Sequence, residues 1–309
     1  MLLQNTTNNM EFHFLGFSTH SPIILFLIFL LIYIFNVSGN LIIIFITSID
    51  AHLQKPMYFF IGNLAVVDIS FTTVTLPKLL STFPLQKSTI SFVGCMLQMF
   101  FFLSIGVTES FLLAVMSYDR YNAVCNPYNA IMTNKCCKHL VLGCWMGGLL
   151  TVILPIVLIS RLPFCLSRVI NHFFCDISPV IQLSCSNIQN LQLFFTFISS
   201  VVVFGSFPII LLSYVQIVLN ILRASTHRKK TFSTCSAHLT VVLIYYGSII
   251  FIYIRPNSRS NLDLDKTTSL LYSVVTPTLN PLIYSIRNDE IKNAIKKLFG
   301  KKTSFSAAD

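Results

Sequence analysis

Few side chains in this 309-residue sequence can do chemistry, and most of them interrupt apolar runs. Asp68 and Glu109 each stand among Phe, Leu, Val and Ile. Asp119 and Arg120 stand side by side further along the run that holds Glu109. Paired carboxylates can serve a glycoside hydrolase as acid and nucleophile, but nothing around these two supplies the logic of a substrate cleft. A lone carboxylate in a spanning helix costs roughly 3 kcal/mol on insertion scales, so each must face protein and find a partner. With Asn40 and a Ser or Asn from the last span, the two acids would make an oxygen cage for a hard cation such as sodium. The alternative is that one acid is protonated and bonds the other, with no ion.

Those residues need helices in lipid to position them. Apolar residues make up 54% of the chain, charged residues 10%, and Phe occurs 28 times. Soluble chains carry about 25% charged residues, too many for this one to match in water. Disorder, a coiled coil and a secreted disulfide scaffold are excluded by the same arithmetic. A spanning helix needs about 20 mostly apolar residues. Seven runs qualify: Ile23–Thr47, Met57–Leu80, Phe92–Tyr121, His139–Ile159, Leu193–Leu219, Ser236–Ile254 and Thr267–Ile286. The expected fold is an all-α membrane protein, a seven-transmembrane helix bundle. Residues 1–22 form an outer tail, 23–286 the bundle, and 287–309 an inner tail. Nothing before Pro22 reads as a cleavable signal peptide, and no internal repeat is present.

Basic residues orient the bundle. One side holds Lys55, Arg120, Lys135, Lys138, Arg223, Arg228, Lys229 and Lys230, and the C-terminal tail adds Arg287, Lys292, Lys296, Lys297, Lys301 and Lys302. These are fourteen, against seven on the other side. The N-terminus is therefore outside. The net charge of +10 is spread by topology and makes no nucleic-acid patch. Asn5-Thr6-Thr7 is a glycosylation sequon in the outer tail, whereas Asn36-Val37-Ser38 lies within a span. Cys95, Cys165, Cys175 and Cys185 fall outside, where two disulfides have three pairings and spacing does not choose. Cys125, Cys136, Cys137, Cys144 and Cys235 should be free thiols. After Asn288, Asp289-Glu290 would cap a short helix with an apolar face of Ile291, Ile295 and Leu298, lying on the membrane surface.

On the third span Phe102, Gly106, Glu109, Leu113 and Arg120 share one face, and Phe102 to Arg120 is about 27 Å along the helix axis. Tyr246 and Tyr253 are seven apart on the sixth span. Each offers a ring and a hydroxyl, which suits an apolar pocket. Ser273, Asn280 and Tyr284 share a face of the seventh, and Pro281 can kink it.

Four motifs in order carry a resemblance. The second span opens Pro56-Met57-Tyr58-Phe59-Phe60 and continues Asn63-Leu64-Ala65-Val66-Val67-Asp68. The third ends Met116-Ser117-Tyr118-Asp119-Arg120-Tyr121. The sixth begins Lys230-Thr231-Phe232-Ser233-Thr234-Cys235-Ser236-Ala237-His238, and the seventh ends Pro277-Thr278-Leu279-Asn280-Pro281-Leu282-Ile283-Tyr284. The chain resembles the vertebrate olfactory receptors, rhodopsin-like G-protein-coupled receptors, over almost its whole length. It departs at Asn126-Pro127-Tyr128-Asn129-Ala130-Ile131-Met132 and Arg223–Lys229, which look short, and at Asn122. All three lie on the face expected to meet a G protein and bear on coupling strength.

The resemblance implies a plasma-membrane receptor for small, largely apolar odorants that raises cyclic AMP through a stimulatory heterotrimeric G protein. It implies a pocket of Phe102, Gly106, Val107, Ser199, Val202, Tyr246, Ile250, Tyr253 and Ser273. It implies a switch of Asp119, Arg120, Tyr214, His238, Asn280, Pro281 and Tyr284, in which Arg120 leaves a fixed pair with Asp119 to meet the G protein. It pairs Cys95 with Cys175 and Cys165 with Cys185, and associates the acids with sodium, the ligands being Asn40, Asp68, Glu109 and Asn280. The partners are an odorant, the G protein and membrane lipid, with no nucleic acid, no other cofactor and no enzymatic chemistry. A receptor that folds but does not signal is the alternative. A small-solute transporter would need repeated halves and broken helices.

Tyr253→Phe is expected to raise the half-maximal concentration about three- to tenfold for an oxygenated agonist and little for a hydrocarbon. Equal shifts for both at matched surface expression would remove Tyr253 from the polar contacts.

Overall fold

The computed structural model describes residues 11–15, 21–85, 89–126, 132–165, 168–223, 228–251 and 262–300. Helices α1 (Pro22–Ile49), α2 (Pro56–Leu85), α3 (Phe92–Cys125) and α4 (Asn134–Ser160) are followed by a short α5 (Ile177–Ile181). Then come α6 (Gln189–Arg223), α7 (Arg228–Ile249), α8 (Leu262–Leu270), α9 (Thr276–Arg287) and α10 (Asp289–Gly300). Five of these, α1 to α4 and α6, are long and apolar enough to cross a bilayer alone, and α7 adds the apolar stretch Leu239–Ile249. Helices α8 and α9 together make the seventh span. Most spans run several residues past their apolar cores, because a helix continues into the headgroup region once its backbone is bonded.

Local chemistry sets the helix starts. Ser91 accepts the Gly94 N–H at 3.1 Å and caps α3. Thr133 accepts from Cys136 at the start of α4, and Pro22 occupies the first turn of α1, where its missing N–H costs nothing. The seventh span is interrupted before the Pro281 position at which the sequence allowed a kink. A single π turn, Leu271–Val275, separates α8 from α9. Pro277 has no N–H to give the Ser273 carbonyl, and the chain widens there so that Thr276 bonds Leu271 five residues back.

Lipid replaces water around the bundle, so the usual burial pattern is turned outward. Ile23 on α1 is 73% exposed, and Phe197, Phe204 and Leu212 on α6 are each 64% exposed. The interior is polar as well as apolar: Asn36, Asn40, Asp68, Glu109, Ser273 and Asn280 are all buried. Helix α3 is the axis, packing on α2, α4 and α6.

The outer tail is more ordered than its reading as a tail implied. Strand β1 (Glu11–Phe14) lies between β2 (Thr89–Ser91) and β3 (Val169–Ile170), antiparallel to the first and parallel to the second. Its alternation sends Phe12 and Phe14 inward and leaves Glu11 and His13 exposed. Phe12 meets the rings of Phe92 and Phe164. Disulfides join Cys95 to Cys175 and Cys165 to Cys185. Cys125, Cys136, Cys137 and Cys144 are free; the Cys235 side chain lies outside the described residues, as does Asn5.

Helices α3 and α4 meet where Gly148 has no side chain. A Cβ there would fall 2.5 Å from the Ser104 carbonyl oxygen and collide with Thr108 Oγ1. Backbone cannot yield as a flexible side chain can. Gly148→Ala should therefore destabilise the purified protein by about 1–3 kcal/mol. Gly143→Ala on the same helix, with nothing within 4 Å, should be neutral or slightly stabilising. Thermal melts of the two variants side by side check this, and equal melting points would contradict the close approach.

Candidate functional site

A cavity of about 90 Å³ lies in the outer half of the bundle. Phe102, Leu103, Gly106, Val107 and Ser110 of α3 form one wall, and Phe195, Ile198, Ser199, Val202 and Val203 of α6 another. Thr151, Val152 and Pro155 come from α4, Tyr245 and Ile249 from α7, and Phe71 and Tyr272 close the side. An apolar cavity of about 150 Å³ admits benzene, so even a benzene-sized guest needs these walls to give.

The roof is held from the second outer loop. The disulfide between Cys95 and Cys175 fixes it to α3, and the Cys175 N–H donates to Gln98 Oε1 at 3.0 Å. Phe174 is thereby set against Phe102, ring centroids 4.4 Å apart, and Phe102 against Phe71 at 4.9 Å. His172 stacks on Phe173 and accepts the Phe174 N–H at Nδ1. Its burial first, and the positive charge of Lys266 second, push the imidazole down to about 3. It stays neutral at any physiological pH and acts as a packing ring.

The floor is polar. The Tyr245 hydroxyl donates to the Gly106 carbonyl and shares a hydrogen bond with Ser110 Oγ at 3.1 Å. Helix α7 is thus tied to α3 within the cavity wall. Among the described residues no charged side chain lines the space.

Of the pocket residues expected from the sequence, Phe102, Gly106, Val107, Ser199 and Val202 line the cavity together. Three others lie outside its lining. Tyr246 points between helices instead, donating to Ser206 Oγ at 2.8 Å and the Ser110 carbonyl at 3.1 Å. Ile250 is 39% exposed on the outside of the bundle. Ser273 turns back to the Ser269 carbonyl at 2.5 Å. Tyr253 lies outside the described residues. The missed residues are chiefly Tyr245 and Ser110. Tyr245 is one position, or about 100° of helix, from the tyrosine that the seven-residue spacing singled out. Serine in an apolar run was the available signal for Ser110.

Below the cavity, polar groups run across the bundle. Asn280 Nδ2 donates to both oxygens of Asp68, at 2.9 and 3.0 Å. Thr72 donates to Asn36 Oδ1 and to the Asp68 carbonyl, and Asn40 donates to the Asn36 carbonyl. Both carboxylate oxygens of Glu109 are buried without a hydrogen-bond partner, as are Asn40 Oδ1 and Asn280 Oδ1. No hydrogen bond joins Glu109 to Asp68. Gly39 lets α1 approach Pro281, whose side chain would sit 3.1 Å from a Cβ there.

At the inner end the expected fixed pair is absent. Among the described residues, no ion pair within 4 Å joins Asp119 to Arg120; the pair found there is Lys55 with Glu290 at 2.9 Å. Arg120 Nη2 and the Tyr284 hydroxyl are both buried without a hydrogen-bond partner. Tyr214 is buried on α6, and the His238 side chain lies outside the described residues. Asn288, rather than Asp289-Glu290, caps α10, accepting the N–H groups of Glu290 and Ile291. Tyr58 donates to Asn288 Oδ1 and Glu290 Oε2, which ties α2 to α10.

Residues 29–302 match the family model described as olfactory receptor. The chain is 48% identical to olfactory receptor 287 of Rattus norvegicus over 300 residues, covering 95% of this chain and 96% of that one. It is 43% identical to olfactory receptor 6C75 of Homo sapiens over 305 residues, covering 97% and 98%. The crystal structure of squid rhodopsin superposes with a TM-score of 0.68 at 18% identity, over 92% of this chain and 87% of that one, which shows a shared fold.

Proposed function

This chain belongs to the olfactory receptor family, and we propose that the cavity below Phe174 is where it takes a small, neutral, largely apolar odorant. It is an odorant-sensing, multi-pass receptor of the plasma membrane and not an enzyme. The observation that carries the ligand class is the cavity lining: aromatic and aliphatic walls, the hydroxyls of Ser110, Ser199, Thr151, Tyr245 and Tyr272, and no charge among the described lining residues. Apolar surface supplies the affinity and a few hydroxyls the orientation. An amine or a carboxylic acid would enter without a counter-ion and lose its hydration.

Signalling follows from differential affinity. A guest that favours one arrangement of α3 and α7 shifts the population toward it. Tyr245 is the residue through which this happens, because its hydroxyl holds α7 to Gly106 and Ser110 of α3. An oxygenated odorant competes for those bonds and frees α7 to move outward at its inner end. Arg120, whose Nη2 has no hydrogen-bond partner, then meets a stimulatory heterotrimeric G protein, and cyclic AMP rises.

We further propose that Asn40, Asp68, Glu109 and Asn280 hold a sodium ion. The support is the donor set: buried oxygens of Glu109, Asn40 and Asn280 without partners, beside a carboxylate held by Asn280. Hard cations take such oxygen ligands, and the ion's single charge offsets that of one of the two acids.

A broad odorant panel read by cyclic AMP in transfected cells tests the function, and no response from a surface-expressed receptor to any neutral volatile would count against it. For an oxygenated agonist found this way, Tyr245→Phe should shift the half-maximal concentration about three- to tenfold. An unchanged curve would take Tyr245 out of the contact. Replacing external sodium by a large organic cation should change basal or evoked activity in the wild type but not in Glu109→Gln. A wild-type response indifferent to sodium removes the ion.

A further inference from the structure

A second hollow, of about 370 Å³, opens at the inner ends of α1, α2 and α4, on the opposite leaflet from the odorant cavity. Its rim carries two lysines, Lys55 before α2 and Lys138 in the first turns of α4. Its floor is formed by Ile44 of α1 and by Phe59 and Val66 of α2, the last two 38% and 39% exposed, with Asn63 between them turned back to the Phe59 carbonyl and Thr47 and Ser48 of α1 beside them. Phe59 and Val66 lie seven residues apart on one helix face, so the floor descends about 10 Å from the rim toward the bilayer centre. The back wall is closed by the approach of α1 to α2, where Gly62 leaves room for Thr47 Oγ1.

The hollow contains no acidic side chain among its lining residues. Lys138 is exposed, and among the described residues no carboxylate lies within 4 Å of it. Lys55 is paired with Glu290, but both side chains keep much of their surface open, 58% and 39%. Two cations above an apolar slot, at the level of the cytoplasmic headgroups, match one kind of molecule in charge and in shape. The cytoplasmic leaflet is rich in anionic phospholipid, and basic pockets between spans on that side bind its headgroups. A sterol has no charge to set against the lysines. A zwitterionic lipid has no net charge to set against a rim that holds two lysines.

We propose that this hollow is the seat of one anionic phospholipid of the cytoplasmic leaflet. The phosphate lies on Lys138 and Lys55, and one acyl chain follows Phe59 to Val66 down the face of α2. The bound headgroup competes with Glu290 for Lys55, so occupancy of the hollow bears on how firmly α10 is held to the start of α2.

The test uses the purified full-length receptor in detergent, titrated with dioleoylphosphatidylserine or dioleoylphosphatidylcholine, with bound lipid counted by native mass spectrometry. One phosphatidylserine per chain should bind in preference to phosphatidylcholine. Lys55→Gln with Lys138→Gln should weaken it roughly thirtyfold. Val66→Trp, which fills the slot and keeps both charges, should displace it as well. Lys292→Gln with Lys296→Gln removes the same charge from α10 and should leave it bound. Thermal melts without added lipid identify the variants that are folded, and either the lysine pair or Val66→Trp suffices for the comparison. Phosphatidylcholine binding as tightly, phosphatidylserine retained by the folded rim or slot variant, or equal loss in the α10 pair would each overturn the proposal.

Discussion

Asp68 lies in a medium where an unmet carboxylate is expensive, and the bonds it accepts from Asn280 are the constraint on which the inner half of the bundle depends. They fasten α2 to α9. The Asp68 carbonyl, through Thr72 and Asn36, extends the same chain of bonds to α1. In water these groups would exchange partners with solvent at little net cost; in hydrocarbon each lost bond leaves a polar atom stranded. Three helices are held in one register by polar contacts, and apolar packing then fills in around them. Gly39 against Pro281 shows how closely α1 and α9 come together under that constraint.

The outer half is built differently. Its strongest ties are covalent and aromatic: a disulfide from α3 to the loop above it, then Phe174, Phe102 and Phe71 in sequence. Helix α3 belongs to both halves, with Phe102 under the roof and Glu109 among the polar groups. Tyr245 sits at the join, where a hydroxyl still bonds backbone but a ring already lines the cavity. A guest in the cavity therefore bears on the one helix that both halves share.

The spans were legible because the bilayer demands a long apolar run, and the stripe from Phe102 to Arg120 was legible because helical spacing puts those residues on one face. The α4 wall of the cavity was not. Thr151, Val152 and Pro155 carry no periodic polar signal, and only packing brings them opposite α6. Tyr246 was singled out over Tyr245 because spacing by seven identifies a face without saying which neighbour that face meets. Asn36 read as an unused sequon, although it is wholly buried and accepts from Thr72 at 2.9 Å. The sheet left no pattern to find: its strands have two to four residues, too few for alternation to stand out.

That sheet has a consequence for how the chain is made. Its central strand, β1, is synthesised before the first span, while its partners come from either side of α3 and α4: Thr89–Ser91 after α2 and Val169–Ile170 after α4. Phe12 and Phe14 thus reach the lumen with nothing to cover them and must wait until four helices have crossed the membrane. Through that interval the nascent receptor shows two bare aromatic rings beside unpaired strand backbone, the features that lumenal chaperones recognise. Closure of the sheet hides both at once. Completion of the outer surface is in this way reported at the N-terminus, and a defect in α2, α3 or α4 is displayed there as a strand that never finds its place.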